Sequence, residues 1–289
     1  MSSSSGTAEA ALGWSVPDAE AAIAAALTGV QRLGVAFSGG VDSSLLLALS
    51  ARVLGAGQVL ALLGVSPSLA SDERAAAHTV AGEIGVPVVE IATFEGEDAS
   101  YRANGPDRCF HCKDELFRRI DDDVARQHQL DAIAYGENAD DAVRADRPGA
   151  RAASAHSVLR PLAEAGITKA DVRRLARELG LSVADKPAAP CLASRIPHFS
   201  PVTHQKLRQI EQAETALRRL GFTELRVRHH GEIARLELAE SDLLRAVTEP
   251  LRGEVLDAVR SAGFRFVALD LAGLQSGAFT LPLVIPDHD

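Results

Sequence analysis

Residues 34–44 read GVAFSGGVDSS, a stretch that dictates the order of structure around it. Leu33 to Phe37 is a short apolar run suited to a buried parallel strand, and SSLLLALSARVL after the glycines has the apolar spacing of a helix. The loop between them therefore opens a helix. Gly39 and Gly40 let the backbone approach a ligand closely, while Ser38, Ser43 and the first helical N–H groups donate toward the positive end of the helix dipole. Such a loop is suited to a phosphate. Asp42 is the odd member, because a carboxylate beside a phosphate is repulsive unless a cation lies between them, and it predicts Mg²⁺. The competing expectation is a tight strand-to-helix turn, which needs no serines on both sides of the glycines.

The lysine of G-x-x-x-x-G-K-[ST], which reaches the β- and γ-phosphates in γ-phosphoryl transfer, is missing, and this favours a different ATP chemistry. The string SGGVDS resembles the PP-loop of the ATP pyrophosphatases. That resemblance implies cleavage of ATP between the α- and β-phosphates, adenylylation of a substrate oxygen, and a loop that holds the departing pyrophosphate. Amidotransferases, synthetases and sulfur transferases all share the loop, so it does not choose among them.

With 289 residues, 46% of them hydrophobic, the chain is long enough for one large or two modest domains with a real core. No apolar run reaches the roughly 20 residues of a membrane span, and MSSSSGTAEAALGWS lacks a basic n-region and an apolar h-region. The expectation is a cytoplasmic protein with a disordered tail over 1–16. A net charge of −9 argues against a general nucleic-acid surface, although Arg, Lys and His gather locally between residues 205 and 235.

The first part of the chain alternates apolar strands with helical stretches, which predicts a doubly wound parallel α/β sheet over residues 17–187. Expected strands are Leu33 to Phe37, Val59 to Val65, Val86 to Ile91 and Ala132 to Tyr135. Expected helices are 43–54, 71–84, 113–129 and 169–181, the last with Val172, Leu175, Ala176 and Leu179 on one face. PAAPCLASRIPHFSP holds four prolines in fifteen residues and predicts an irregular joint over 188–201. Beyond it, a helix (202–220), a strand pair (TELRVRHH and IARLEL), a helix (241–262) and a strand (FRFVALDL) predict a smaller α+β domain over 202–289.

Three cysteines carry the second signal: Cys109 and Cys112 in RCFHCKDELF, and Cys191 in PCLASRIP. Structural disulfides are improbable for a cytosolic chain, and an odd count leaves one thiol over. Zinc needs a fourth ligand; His111 is the nearest, but a residue inside a C-x-x-C pair points away from a shared metal. Three thiolates suit a [4Fe–4S] cluster with one iron open to a non-protein ligand such as sulfide. Three unrelated buried cysteines are the plain alternative, at odds with the polar, proline- or arginine-flanked loops in which all three are expected.

Taken together, SGGVDS, RCFHCK, YGENADDAVRADRPG, ADKPAAPCLASRIP, RVRHHGEIARLEL and FRFVALDLAGLQSG resemble the LarE family of ATP-dependent sulfur transferases, from the loop to near the C-terminus. That family acts in making the nickel-pincer nucleotide cofactor of lactate racemase. The resemblance implies a pyridine dicarboxylate mononucleotide as substrate, a sulfide donor, and Cys191 as the sulfur site. Members with only that cysteine sacrifice its sulfur and keep dehydroalanine. Members that also carry the C-x-x-C pair bind a [4Fe–4S] cluster through three cysteines, here Cys109, Cys112 and Cys191. A trimer-based homo-oligomer, such as a hexamer, is also implied. After RIP the family usually shows tyrosine and glycine, where this chain has His198 and Phe199; before DRPG, Ala145 replaces the usual acidic residue. Asp140, Asp141 and Asp146 are candidates for metal or substrate contacts, or simply solvated helix caps.

The chemistry expected is attack of a substrate carboxylate on the α-phosphate of ATP, then displacement of AMP by sulfur to give a thiocarboxylate. Arg195, four residues from Cys191, would lower a thiol pKa or grip a phosphate. Arg226 and Arg228 alternate with Leu225 and Val227, so both lie on one face of a strand, either converging on an anion or simply exposed. The resemblance adds Ser194, Glu214 and Glu237 to the site. Two other enzyme classes remain open. A tRNA 2-thiolation enzyme would show a broader basic surface or an RNA-binding module. An amide-forming ligase would leave the cysteines incidental. A nucleotide or iron–sulfur sensor is the non-catalytic alternative, separated from all of these by the lack of substrate-dependent AMP release.

Overall fold

The computed structural model describes residues 13–143 and 148–274. Most of the expected tail, Asp146 and the end of FRFVALDLAGLQSG lie outside the described residues. The chain divides into two compact units. The first draws on the chain up to Gly64, Ala75–Ile91 and Arg119–Ala188; the second on Val65–Arg74, Ala92–Arg118 and the chain from Ala189 on.

In the first unit, β1 (Leu33–Ala36), β2 (Val59–Val65), β3 (Val88–Ala92) and β4 (Ala132–Tyr135) form one sheet in the order β3-β2-β1-β4. β1 runs parallel to both β2 and β4, with Val35 opposite Ala61 and Ala134. A central parallel strand is covered on both faces, which is why LGVA is apolar without alternation. The helix Val41–Leu54 is buried continuously from Ser43 to Ala51, so its LLLAL run packs all round rather than along one stripe. The loop between β1 and this helix lies at the carboxyl ends of the strands, where doubly wound sheets bind their ligands. The expected doubly wound architecture is thus present.

In the second unit, β5 (Leu225–His230), β6 (Ile233–Leu238) and β7 (Phe266–Leu269) form a separate sheet. β5 and β6 are an antiparallel pair turned at Gly231 (φ +65°), and β7 joins β6 in parallel. Phe222, Val227, Leu236, Val259 and Phe264 form its core with the helices His204–Arg219 and Leu251–Ser261.

Two expectations need correcting. The helix placed at 113–129 begins at Arg108, so Cys109 and Cys112 occupy helical positions rather than a loop. The breaker is Pro106, and a proline just upstream is compatible with a first helical turn immediately after it. The helix expected over 241–262 is divided into Leu243–Val247 and Leu251–Ser261. Pro250, which has no N–H to donate, sits at the break.

Candidate functional site

In the first unit, the loop is arranged by its own hydroxyls. Ser43 Oγ donates to Gly40 O (3.1 Å) and accepts from Ser38 N (3.3 Å), and the Ser38 and Ser43 hydroxyls lie 3.3 Å apart. Gly39 has φ +69°, and a Cβ there would meet Ala77 at 3.0 Å, so both conformation and space call for glycine. Gly136, just after β4, is equally constrained: a Cβ would stand 2.6 Å from Ser43 N. The close approach of these two backbones brings Asn138 beside the helix start.

Asp42 occupies the first turn of the helix and accepts from Asn138 Nδ2 at 2.9 Å, while its other oxygen pairs with Lys169 Nζ. The position suits a group that balances cations at a phosphate site, and a Mg²⁺ ion there would compete with Lys169 for the same carboxylate. Neither Asn138 nor Lys169 stood out in the sequence. A signal was available in Thr168, whose capping box with Asp171 starts the helix Lys169–Glu178 and places Lys169 at its first position. Asp140 accepts from Lys169 N (2.8 Å), and Asp141 accepts from Asn138 Nδ2 (2.9 Å). Both carboxylates thus have protein donors.

In the second unit, Cys109 and Cys191 are exposed and Cys112 is half-buried, packed against the cluster that contains Leu192 and Ala193. Burial pushes the Cys112 thiol well above its usual pKa; Glu95, Cys191 and Cys109 push it the same way, while Arg108 opposes them. The charges of both other cysteines thus act on Cys112. Arg108 is the feature that sequence reasoning missed. Burial lowers its pKa, but the charges of Cys191 and Cys109 more than offset this, and the guanidinium is held above its ordinary value. It donates to Asn104 Oδ1 (2.5 Å) and Ala193 O (3.0 Å). An arginine immediately before C-x-x-C was the available clue.

Asn104, fully buried with φ +57°, ties the third cysteine's loop down. Its Nδ2 donates to Ile196 O, Pro197 O and Ser200 O, and its carbonyl accepts from Phe199 N (3.1 Å). Phe199, with φ +64°, is 67% exposed, so the chain's departure from the family pattern there lies at a solvent-facing turn. Among the described residues no three His, Cys, Asp or Glu side chains gather tightly enough to hold one metal ion. His111 faces two carboxylates, Asp98 (3.2 Å) and Asp107 (3.3 Å), which removes it from a zinc set. A four-iron cluster makes a different demand, since it holds its thiolates at separate corners rather than around one ion. Cys109 and Cys112, three positions apart on one helix, with Arg108 tying that helix to Ala193 in the loop of Cys191, fit that demand.

Arg195 is buried and uses its donors on Glu214 (2.9 and 3.2 Å), Pro190 O, Cys191 O and Ser194 Oγ. It thereby grips the backbone of Cys191. Glu214 also accepts from Val227 N (3.0 Å) and Arg218 (3.1 Å). Arg228 makes a two-pronged pair with Glu237 (2.9 and 2.8 Å) and donates to Ser194 O (3.0 Å). Arg226 is held below its usual pKa by burial and by Arg228 and Arg195, against the pull of Glu237 and Glu214. Arg226 and Arg228 are 7% and 3% exposed, so the exposed-strand alternative does not hold. Arg195 and Arg228 are each paired with a buried carboxylate, Glu214 and Glu237, and Arg226 lies within the field of all four groups.

A family model described as asparagine synthase matches residues 19–120, the segment that carries the phosphate loop. The pyridinium-3,5-bisthiocarboxylic acid mononucleotide synthase of Lactiplantibacillus plantarum is 36% identical over 261 residues, covering 89% of this chain and 92% of its own length. The chain belongs to the LarE family. An uncharacterised Synechocystis protein is 39% identical, with 86% of this chain and 91% of that protein covered. An uncharacterised protein of Methanocaldococcus jannaschii is 27% identical, with 83% and 90% covered. As a LarE family member the chain is an ATP-dependent sulfur transferase on a PP-loop fold, and ATP with Mg²⁺ belongs to that chemistry. Among the described residues no helix is long and apolar enough to cross a membrane.

Proposed function

We propose that the chain converts the carboxylate of a pyridinium dicarboxylate mononucleotide into a thiocarboxylate, using sulfide carried on a [4Fe–4S] cluster. The observation that carries this reading is the hydrogen bond from the buried Arg108, which directly precedes Cys109, to Ala193 O, two residues from Cys191, which links the C-x-x-C helix to the third cysteine's loop. A substrate carboxylate oxygen attacks the α-phosphorus of ATP, and the bond to pyrophosphate breaks. The loop donors Ser38, Gly39, Gly40 and Ser43 take the charge that develops on pyrophosphate, and Asp42 would hold Mg²⁺ there. Sulfide then attacks the activated carbonyl, and AMP leaves with the electron pair of the acyl–oxygen bond. Bound at Cys109, Cys112 and Cys191, a [4Fe–4S] cluster would supply an open iron corner for the sulfide. Arg226 and Arg228, with Arg195, Ser194, Glu214 and Glu237 setting their geometry, would bind the substrate phosphate.

A cytoplasmic location and a trimer-based homo-oligomer belong to the same proposal, on the strength of the family resemblance. The test is anaerobic turnover with sulfide, ATP, Mg²⁺ and the dicarboxylate mononucleotide. Several thiocarboxylates per chain, with iron and labile sulfide bound and the mass of Cys191 unchanged, is the expected result. A single turnover with loss of H₂S from Cys191 would overturn the cluster-borne route in favour of a sacrificial thiol.

A further inference from the structure

Asn104 lies just ahead of the C-x-x-C helix (Arg108–Arg119) and is fully buried. Its Nδ2 donates to three carbonyl oxygens of the joint, Ile196 O (3.3 Å), Pro197 O (2.8 Å) and Ser200 O (3.0 Å), while its Oδ1 accepts from Arg108 Nη1. These partners allow the side-chain amide one orientation only. A guanidinium can only donate and a carbonyl can only accept, so the amide oxygen must face Arg108 and the nitrogen must face the loop. The main chain closes the clasp from the same residue: Asn104 O accepts from Phe199 N (3.1 Å), and His198 Nδ1 stands 3.3 Å from it.

The other tethers of this loop do different work. Arg195 anchors Cys191 O to Glu214 on the helix His204–Arg219, away from the C-x-x-C pair. Arg108 reaches the loop at Ala193 O, through the same Nη1 that Asn104 Oδ1 accepts from, so Asn104 also orients Arg108. Asn104 thus acts on the loop twice, directly through Nδ2 and indirectly through the guanidinium. Its φ of +57° is a conformation in which glycine, asparagine and aspartate are at ease. Of these only asparagine serves both sides, because aspartate would set an oxygen against three carbonyls and glycine would offer neither contact. None of these hydrogen bonds involves a metal, and a ligand set ordered during folding does not lose that freedom again on binding.

We propose that Asn104 is a positioning residue for the sulfur site: it fixes the Cys191 loop against the C-x-x-C helix in the metal-free chain, before iron is bound. Its bearing on iron rests on the cluster reading above, whereas its hold on the loop does not.

The test is hydrogen exchange of the metal-free full chain, read by fragment mass spectrometry, for the wild type, Asn104→Gly and Asn104→Asp. Exchange over residues 191–202 should rise by about tenfold in both variants, the scale of one to two net hydrogen bonds, while the helix His204–Arg219 keeps its protection. Glycine separates the side chain from the backbone, since it adopts the same φ without strain. If Asn104→Gly exchanges like the wild type, backbone conformation is all that the position supplies and the assignment falls. Wild-type exchange in Asn104→Asp would overturn it as well, and an equal rise throughout the second unit would make Asn104 a general determinant of stability rather than a positioning residue. After anaerobic reconstitution, a chelator should strip iron from Asn104→Gly about tenfold faster than from the wild type, in line with the loosened loop. Equal rates would overturn the assignment even where exchange has risen. A wild type that takes up no iron removes the cluster reading alone, and the exchange of the metal-free chain then decides whether Asn104 holds the loop.

Discussion

The phosphate loop draws its hydrogen-bonding atoms from the consecutive residues Ser38–Ser43, whereas the cysteine and arginine groups draw theirs from separated stretches between Asn104 and Glu237. The loop is shaped by short-range hydroxyl and backbone contacts and by glycines that permit close approach. The second assembly is shaped by buried ion pairs that span the unit, Arg195 with Glu214 and Arg228 with Glu237. A local site places its atoms as soon as its strand and helix form. A dispersed site is in place only when the whole unit has folded, and its charges become costly if any partner is lost.

The largest expected effect separates the two sites functionally. Cys191→Ala should abolish thiocarboxylate formation and strip bound iron, while substrate-dependent release of pyrophosphate continues; iron analysis and a pyrophosphate assay on one preparation check both. Loss of both activities together would mean that the two sites are not separable in this way. Asp42→Asn should act in the opposite sense, lowering pyrophosphate release by about 10²-fold, the scale of one electrostatic catalytic contact, while iron binding is retained. Normal turnover in that variant would reduce Asp42 to a partner of Lys169.

Stability sharpens the contrast further. Glu214→Ala leaves Arg195 and Arg218 without their shared carboxylate and Val227 N without an acceptor, so denaturant unfolding should show a loss of about 3–5 kcal/mol. The smallest effect belongs to the first unit. Thr168→Ala removes the side-chain cap of the helix that presents Lys169, and a loss of about 1 kcal/mol is expected by the same measurement. If the two variants cost the same, the dispersed site is not held by its buried charges.

Much of this was legible from residue patterns. The strand expectations Val59–Val65 and Ala132–Tyr135 coincide with β2 and β4, because short apolar runs between breakers leave little freedom in their limits. The helix over 71–84 also coincides, with Asp72 and Glu73 in its first turn where the dipole favours them. The start of the C-x-x-C helix was not legible from apolar spacing, since RCFHCK is polar there and only Pro106 marks the boundary. Lys169 was hidden for another reason: it lies 127 residues from Asp42, and the Thr168 capping box beside it announces a helix start but not an ion pair.

The phosphate loop, the alternation of strand and helix, the placing of Arg226 and Arg228 on one strand face, and the family can all be read from residue order. Each of these follows from contiguous residues, where backbone periodicity and glycine conformation act locally. In the folded chain alone are those arginines buried, with Arg228 paired to Glu237, and there Arg108 comes to lie where the charges of Cys191 and Cys109 act on it. Burial and charge pairing depend on which distant segments pack together, and that is a property of the folded chain rather than of any one stretch.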